Sequence, residues 1–290
     1  GERMTRRLVH VLTVADSLVF VDDVVARARD EGWDVTVITS PDERLTTFGR
    51  RLKVRTLPIS MPRRVTPLGD ALALQQLYAA FRRLRPTLVH AGTPKGGLLG
   101  MLAAEAAGVP VRLYQMRGLA LATATGALRG VLTATEKLSC AAATRVLCQS
   151  PSLRAAALRE RVVSPEKSEV VLGGSNGVDA ARFTPSDRSA ARRRLGLPDG
   201  APLITFVGRL VRDKGVVELL EAFEQLPEDT HLLLAGPFEP RDPVPAHTRA
   251  RLETHPRVHL LGFVADPRDA YAAADVVTLP SHREGFPNVP

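Results

Sequence analysis

Residues 203–223 read LITFVGRLVRDKGVVELLEAF, and this stretch decides the fold. Leu203, Ile204, Phe206 and Val207 make a short apolar run of the kind a strand shows when both of its faces are buried. Gly208 and Arg209 break the run. Lys214 and Gly215 then lead into Val216, Val217, Leu219, Leu220 and Phe223, which lie at helical spacing. The unit is strand, basic loop, helix. A helix N-terminus gathers unpaired N–H groups and partial positive charge, so two cations beside it suit a diphosphate. Taken alone, Arg209 and Lys214 are equally well accounted for as solvated loop charges.

The same alternation runs outward in both directions. Residues 8–13 (LVHVLT) predict a first buried strand, 19–28 a helix and 33–39 (WDVTVIT) a second strand, a βαβ opening that points to a doubly wound parallel sheet. Ligands of such sheets sit beyond the carboxyl ends of the strands, which places Ala15, Asp16 and Ser17 beside a cleft. Asp16 suits either a polar acceptor contact or a helix cap. No GxGxxG follows the first strand, which speaks against a dinucleotide fingerprint. Residues 44–64 read as an arginine-rich loop, and 68–84 as an amphipathic helix stopped by Pro86. Together these suit either a solvated face or a surface that docks on anionic lipid.

Residues 87–90 predict the next strand. The segment after it, AGTPKGG, offers Thr93, Lys95 and free amides to a phosphate, though without Walker spacing; its glycines equally suit close packing of helix on sheet. His90 has no second histidine at ligand spacing, so it is expected at the core or the cleft edge. Arg117 follows the strand 111–114 and faces the presumed cleft. A helix over 127–142, strands at 145–148 and 169–172, and a turn-rich hinge at 173–183 complete this half. The pattern then restarts with strands at 203–207, 231–235, 258–261 and 276–279. The expected organisation is a first domain over residues 1–180 and a second over 181–290, both Rossmann-like.

At 290 residues, 44% hydrophobic and 24% charged, the chain has the composition of a globular protein with room for two domains. No apolar run approaches the roughly 20 residues of a membrane-spanning helix. Two cysteines build neither a disulfide framework nor a metal site, and the expectation is a reducing, cytoplasmic setting. A formal charge of +8 favours anionic partners. Nucleic acid is the weakest of these, since aromatics are 4% and no zinc-finger or RNA-binding motif is present.

Three motifs then fall in order: NGVDAARF, GRLVRDKG, and LLGFVADPRDAYAAADVVTLPSHREGFPNV. In this order the chain resembles family 4 of the retaining glycosyltransferases, which have two Rossmann-like domains facing a cleft (GT-B). The stretches HAGTPKGGLLGMLAAEAAGVPVRLYQMRGL and SCAAATRVLCQSPSL are similar to bacterial members that act on polyprenyl-diphosphate-linked saccharides.

The resemblance implies that Arg209 and Lys214 bind the donor diphosphate and that Phe263 and Val264 meet the nucleobase. It places Glu284, the first of the family's paired glutamates, near the donor sugar. Gly285, Phe286, Pro287 and Asn288 form the adjoining loop, which contacts sugar and phosphate. The second glutamate would fall two positions beyond Pro290, so the second domain is expected to be incomplete. Many relatives carry histidine where this chain has Arg117, which suggests an anion-holding role for that residue.

No metal or cofactor is implied, because preorganised cations and amides can carry the charge of a departing diphosphate, and no DxD motif is present. Expected partners are a nucleotide-sugar donor, taken as UDP-linked, and a glycan or lipid-linked saccharide acceptor at the cytoplasmic membrane face. A sugar-nucleotide epimerase of the same architecture and a non-catalytic donor-binding protein are the alternatives.

Overall fold

The computed structural model describes residues 6–62, 64, 66–170, 178–282, 284, 287 and 289. The chain divides into two compact units, Gly1–Asn176 and Gly177–Pro290.

The first unit runs β1 (Arg7–Val11), a 3-10 segment (Ala15–Phe20), α1 (Asp22–Asp30), β2 (Asp34–Thr39), α2 (Glu43–Leu52), β3 (Arg55–Pro58), α3 (Pro67–Leu84) and β4 (Leu88–Ala91). It continues with α4 (Pro94–Ala106), β5 (Val111–Met116), a 3-10 turn (Ala120–Ala122), α5 (Gly126–Ala142), β6 (Arg145–Cys148), α6 (Pro151–Arg159) and β7 (Ser168–Val170). The strands form one parallel sheet in the order β3-β2-β1-β4-β5-β6-β7. Period-two alternation divides the core in two: Val9, Val11, Val89 and Ala91 face one side, and Leu8, Leu12, Val35 and Val37 the other.

Residues 44–64 do not form the expected basic loop. Within them Leu45, Phe48 and Leu52 build the buried face of α2, and the chain then adds β3 to the sheet edge. Three of their arginines are also matched internally: Arg44 pairs with Asp42 and Asp16, Arg51 with Asp22, and Arg55 with Asp34. Helix α4 presents Gly96, Gly97 and Gly100 to the sheet. A Cβ at Gly97 would stand 2.4 Å from the Tyr114 ring and one at Gly96 would stand 3.0 Å from the Thr13 nitrogen, so close packing accounts for these glycines.

The second unit contains α7 (Arg188–Leu195), β8 (Leu203–Val207), a 3-10 turn (Arg212–Lys214), α8 (Val216–Phe223), β9 (His231–Ala235), α9 (Ala246–Thr254), β10 (Val258–Gly262), α10 (Arg268–Ala273) and β11 (Val276–Thr278). Its parallel sheet has the order β10-β9-β8-β11. In β9, Leu232 and Leu234 point into one core and Leu233 and Ala235 into the other, which explains the unbroken apolar run HLLLA.

One arginine of the run RRR in α7 is wholly interior. Arg192 is 2% exposed; its Nε donates to the Ala273 carbonyl at 3.0 Å, its Nη1 to those of Asp199 at 2.6 Å and Ala201 at 2.9 Å, and its Nη2 to Asp275 at 2.8 Å. Among the described residues, no helix is long and apolar enough to cross a membrane.

Candidate functional site

The loop that follows β8 in the second unit is tied down from two sides. From one side comes the connection after β9. The Leu210 N–H donates to the Pro237 carbonyl at 2.8 Å, and the Asp213 N–H donates to Asp242 Oδ2 at 2.7 Å. Arg209, exposed at the start of the loop, donates to Glu239 Oε2 at 3.0 Å.

From the other side comes the segment after β11. Gly215, with φ of 69°, brings its Cα so close to Pro280 that a Cβ there would stand 2.0 Å from the Pro280 carbonyl oxygen. The His282 N–H donates to the Asp213 carbonyl at 2.9 Å, and its ring Nε2 lies 2.9 Å from Glu218 Oε1 on α8. Glu284 thereby reaches the Lys214 ammonium, and the two form a half-buried ion pair. Two residues 70 apart in the chain meet at the N-terminus of α8.

The expected base contacts differ from each other. Phe263, just beyond β10, is 78% exposed, a large apolar face open to a flat partner. Val264 packs instead against the core built on Ala191, Leu203 and Leu233. In the loop after Glu284, Pro287 is half-buried, while Gly285, Phe286 and Asn288 lie outside the described residues.

In the first unit the four expected residues have separate surroundings. Thr93 Oγ1 accepts from the Thr13 N–H at 2.9 Å and lies 2.7 Å from the Thr13 hydroxyl, which accepts from the Gly96 N–H at 3.0 Å. The first turn of α4 thus spends an amide on Thr13, in the connection after β1. Lys95 donates to Asp70 at 2.7 Å and to the Arg64 carbonyl, so its charge is matched within the unit. Asp16 accepts from Arg44 at 2.6 Å.

Arg117 is held differently, by Gln115 Oε1 at 3.0 Å, by the Phe20 carbonyl at 3.3 Å and by the Phe20 ring, 4.8 Å from its guanidinium carbon. Burial lowers its pKa to about 10. Beside it the rings of His10 and His90, register partners on β1 and β4, stand 4.9 Å apart. Burial and the Arg117 charge hold His90 down to about 4, and burial, His90 and Arg117 lower His10 well below its ordinary value.

These imidazoles set a pH dependence. A histidine depressed in the folded state binds fewer protons there than in the unfolded chain. Its contribution is complete above about pH 6.5 and is lost as pH falls toward 4. For His90 the change from 6.5 to about 4 corresponds to about 3 kcal/mol. We expect the urea midpoint to fall across this window, and His90→Gln to flatten the fall. An unaltered slope in that variant would remove His90 as its source. His231 and His259 of the second unit, 2.9 Å apart and also lowered, contribute in the same direction, so the difference between variants is the quantity to read.

The resemblance named Lys214 for the diphosphate and Glu284 for the sugar without foreseeing their ion pair, and sequence reasoning missed Glu239, Asp242, Glu218 and His282. Glu239 and Asp242 follow the carboxyl end of β9, the edge at which parallel sheets place their sites, and that position was a usable signal. Glu218 had none, being one of several surface carboxylates on a helix.

The family description "Glycosyl transferase 4-like domain" matches residues 18–174, and "Glycosyl transferases group 1" matches residues 201–290. The capsular polysaccharide biosynthesis glycosyltransferase CapM of Staphylococcus aureus is 29% identical over 98% of this chain and 75% of its own length. The UDP-Gal:alpha-D-GlcNAc-diphosphoundecaprenol alpha-1,3-galactosyltransferase of Escherichia coli is 27% identical over 89% of this chain and 68% of its own. Among solved structures, Anabaena HepE in complex with UDP-glucose superposes with a TM-score of 0.73 at 22% identity, over 95% of this chain and 74% of HepE. With two parallel α/β units, and with one family description covering more than half of its length, the chain belongs to the 4-like glycosyl transferases of GT-B fold.

Proposed function

We propose that the chain transfers a hexose or N-acetylhexosamine from a UDP-linked donor to a hydroxyl of a lipid-diphosphate-linked saccharide, with retention at the anomeric carbon and without a metal. The observation that carries the donor side is the docking of residues 280–284 on the loop after β8, which joins Lys214 to Glu284 at the N-terminus of α8. Lys214 and Arg209 each hold one carboxylate. A diphosphate, with more charge than either carboxylate, competes for both cations and gains the partial positive charge of the helix end.

As the sugar departs, negative charge grows on the diphosphate. Fixed cations stabilise that charge more than they stabilise the ground state, which lowers the barrier. Glu284, held by Lys214, is then released toward the donor sugar, and the exposed Phe263 supplies a flat face for the uracil. In this proposal the second unit binds the donor and the first the acceptor. The acceptor class follows the name of the Escherichia coli relative, which contains a diphosphoundecaprenol-linked sugar, and with it comes a place at the inner face of the cell membrane. The epimerase alternative has no comparable support, since both matching family descriptions are of glycosyl transferases.

Calorimetric titration of UDP, GDP and ADP in the presence of EDTA tests the donor side. UDP is expected to bind, and Arg209→Ala and Lys214→Ala are each expected to weaken it about tenfold, or about 1.4 kcal/mol. Binding that survives both substitutions would place the diphosphate elsewhere, and binding lost to EDTA would remove the metal-free reading.

A further inference from the structure

The amino-terminal edge of the first sheet carries more positive charge than its own groups answer. Arg7, Asp34 and Arg55 are the first residues of β1, β2 and β3. Parallel pairing sets Arg7 beside Asp34 and Thr36 beside Arg55. Residues two apart on a strand share a face, so these four stand on one side of the sheet. It is the side on which Ile38 packs with Leu77 and Phe81 of α3. Between the strand starts and the carboxyl end of α3 lies an open groove of about 380 Å³, lined by Arg7, Asp34, Thr36, Arg55, Thr56 and Arg83 among others.

Three guanidiniums meet there. Arg55 is paired with Asp34. Arg7 donates Nη1 to the Leu84 carbonyl at 3.2 Å, which answers the partial negative charge at the end of α3. Among the described residues Arg83 has no carboxylate partner, and neither have Arg6, Lys53, Arg82 and Arg85 around the same edge. Asp30 and Glu31, the acids just before β2, are held by Arg29 and Arg27. One carboxylate and one helix end thus face a cluster of cations, and the surplus suits an anion.

The shape of the groove narrows the class. A phosphate monoester carries about two negative charges at neutral pH, and its oxygens match the planar fork of a guanidinium. The volume is that of a small-molecule site rather than of a single ion. Beyond the arginines, the Thr36 and Thr56 hydroxyls serve the polar body of an ester.

We propose that this groove binds a phosphate monoester, with Arg7 and Arg83 on the phosphoryl group and the Arg55–Asp34 pair bounding it. Asp16, Thr93 and Arg117 follow the carboxyl ends of β1, β4 and β5, so the groove lies at the opposite edge of the sheet from them. It rests on neither the donor nor the acceptor reading. Its occupant is an effector or an anchor rather than a substrate. A soluble ester and the headgroup of phosphatidic acid supply the same chemistry.

Trp33, next to Asp34 and with the Arg6 guanidinium carbon 5.7 Å from its ring, reports on this edge. The test is titration of inorganic phosphate and glucose 6-phosphate into the full chain carrying Arg209→Ala and Lys214→Ala, so that the second unit does not compete. Heat and Trp33 emission are followed at about 0.15 M salt, where loosely attracted ions are screened. Glucose 6-phosphate is expected to bind more tightly than phosphate and to raise the urea midpoint read by Trp33. Arg83→Gln, on an exposed residue, should weaken it about tenfold. Asp34→Asn, which removes the competing carboxylate, should tighten it severalfold. A general loss of structure would move both variants the same way.

Vesicles of phosphatidylcholine, with and without phosphatidic acid, separate the sources. Arg83-dependent sedimentation with phosphatidic acid, without binding of glucose 6-phosphate, keeps the seat and places its phosphoryl group on a lipid. Binding of glucose 6-phosphate without such sedimentation keeps it for a soluble ester. Binding of none of these probes at millimolar concentration, or affinities unchanged by Arg83→Gln and Asp34→Asn, would overturn the seat.

Discussion

Arg192→Met is expected to lower the stability of the second unit by about 3–5 kcal/mol, the usual cost of removing one partner of a buried ionic network. The substitution leaves the carbonyls of Ala273, Asp199 and Ala201 without their donor and Asp275 with one arginine fewer. A methionine fills the volume but donates nothing, so the loss is one of hydrogen bonds rather than packing. Asp275→Asn should cost less, because its side chain can still accept from the Leu203 N–H, now at 2.8 Å. Arg193→Met, on the exposed side of the same helix, should change stability by less than about 0.5 kcal/mol.

Urea unfolding followed by two probes reads these outcomes. Trp33, the one tryptophan of the chain, reports the first unit, whereas far-ultraviolet circular dichroism reports both. The dichroism transition should move to lower urea while the Trp33 transition stays in place. Coincident midpoints in Arg192→Met and the parent chain would show that the network contributes little.

Gly215→Ala is expected to weaken UDP binding at least tenfold and to lower sugar transfer by about two orders of magnitude, in line with the cost of misplacing a reacting group by an ångström. Two effects act at this position. The φ of 69° costs an alanine about 1 kcal/mol. The larger effect is steric, since the new Cβ would stand 2.0 Å from the Pro280 oxygen, and the segment carrying His282 and Glu284 must withdraw from Lys214. Gly196→Ala separates the two, because its φ of 66° is similar and nothing lies within 4 Å of the added carbon. Should both variants bind UDP as the parent does, the docking of residues 280–284 has no part in the donor site.

The parallel α/β character was legible because strands buried on both faces, such as 203–207 and 231–235, are short apolar runs that few other structures produce. β3 was not legible. It is a four-residue edge strand, RTLP, and neither alternation nor an apolar run marks it. Helix α2 was hidden because its apolar residues Leu45, Phe48 and Leu52 stand among arginines that bury nothing. Arg192 was hidden for the converse reason: three successive arginines read as a solvated face, and only the fold reveals that the carbonyls of a facing turn enclose the first of them.

Of the site, the resemblance named both Lys214 and Glu284, but their ion pair, between residues 70 apart, needed the fold. The role of Lys95 was open in the sequence, since a lysine after a strand serves a phosphate or an aspartate equally well. Asp70, 25 residues earlier, gave no local sign of being its partner.

The order of strands in the second sheet has a consequence for synthesis. β8 lies between β9 and β11, and of these three strands β11 leaves the ribosome last. Arg192 precedes Asp275 by 83 residues and Lys214 precedes Glu284 by 70. At about 5–20 residues per second, the nascent unit carries an arginine destined for the interior for roughly 4–17 seconds before its aspartate exists. Over that interval the exposed flank of β8 is an unpaired strand edge, open to any extended chain that can hydrogen-bond to it. Pairing of β11 with β8 and arrival of the Asp275 carboxylate are one event, so β8 gains its second neighbour and the buried arginine its counter-charge together.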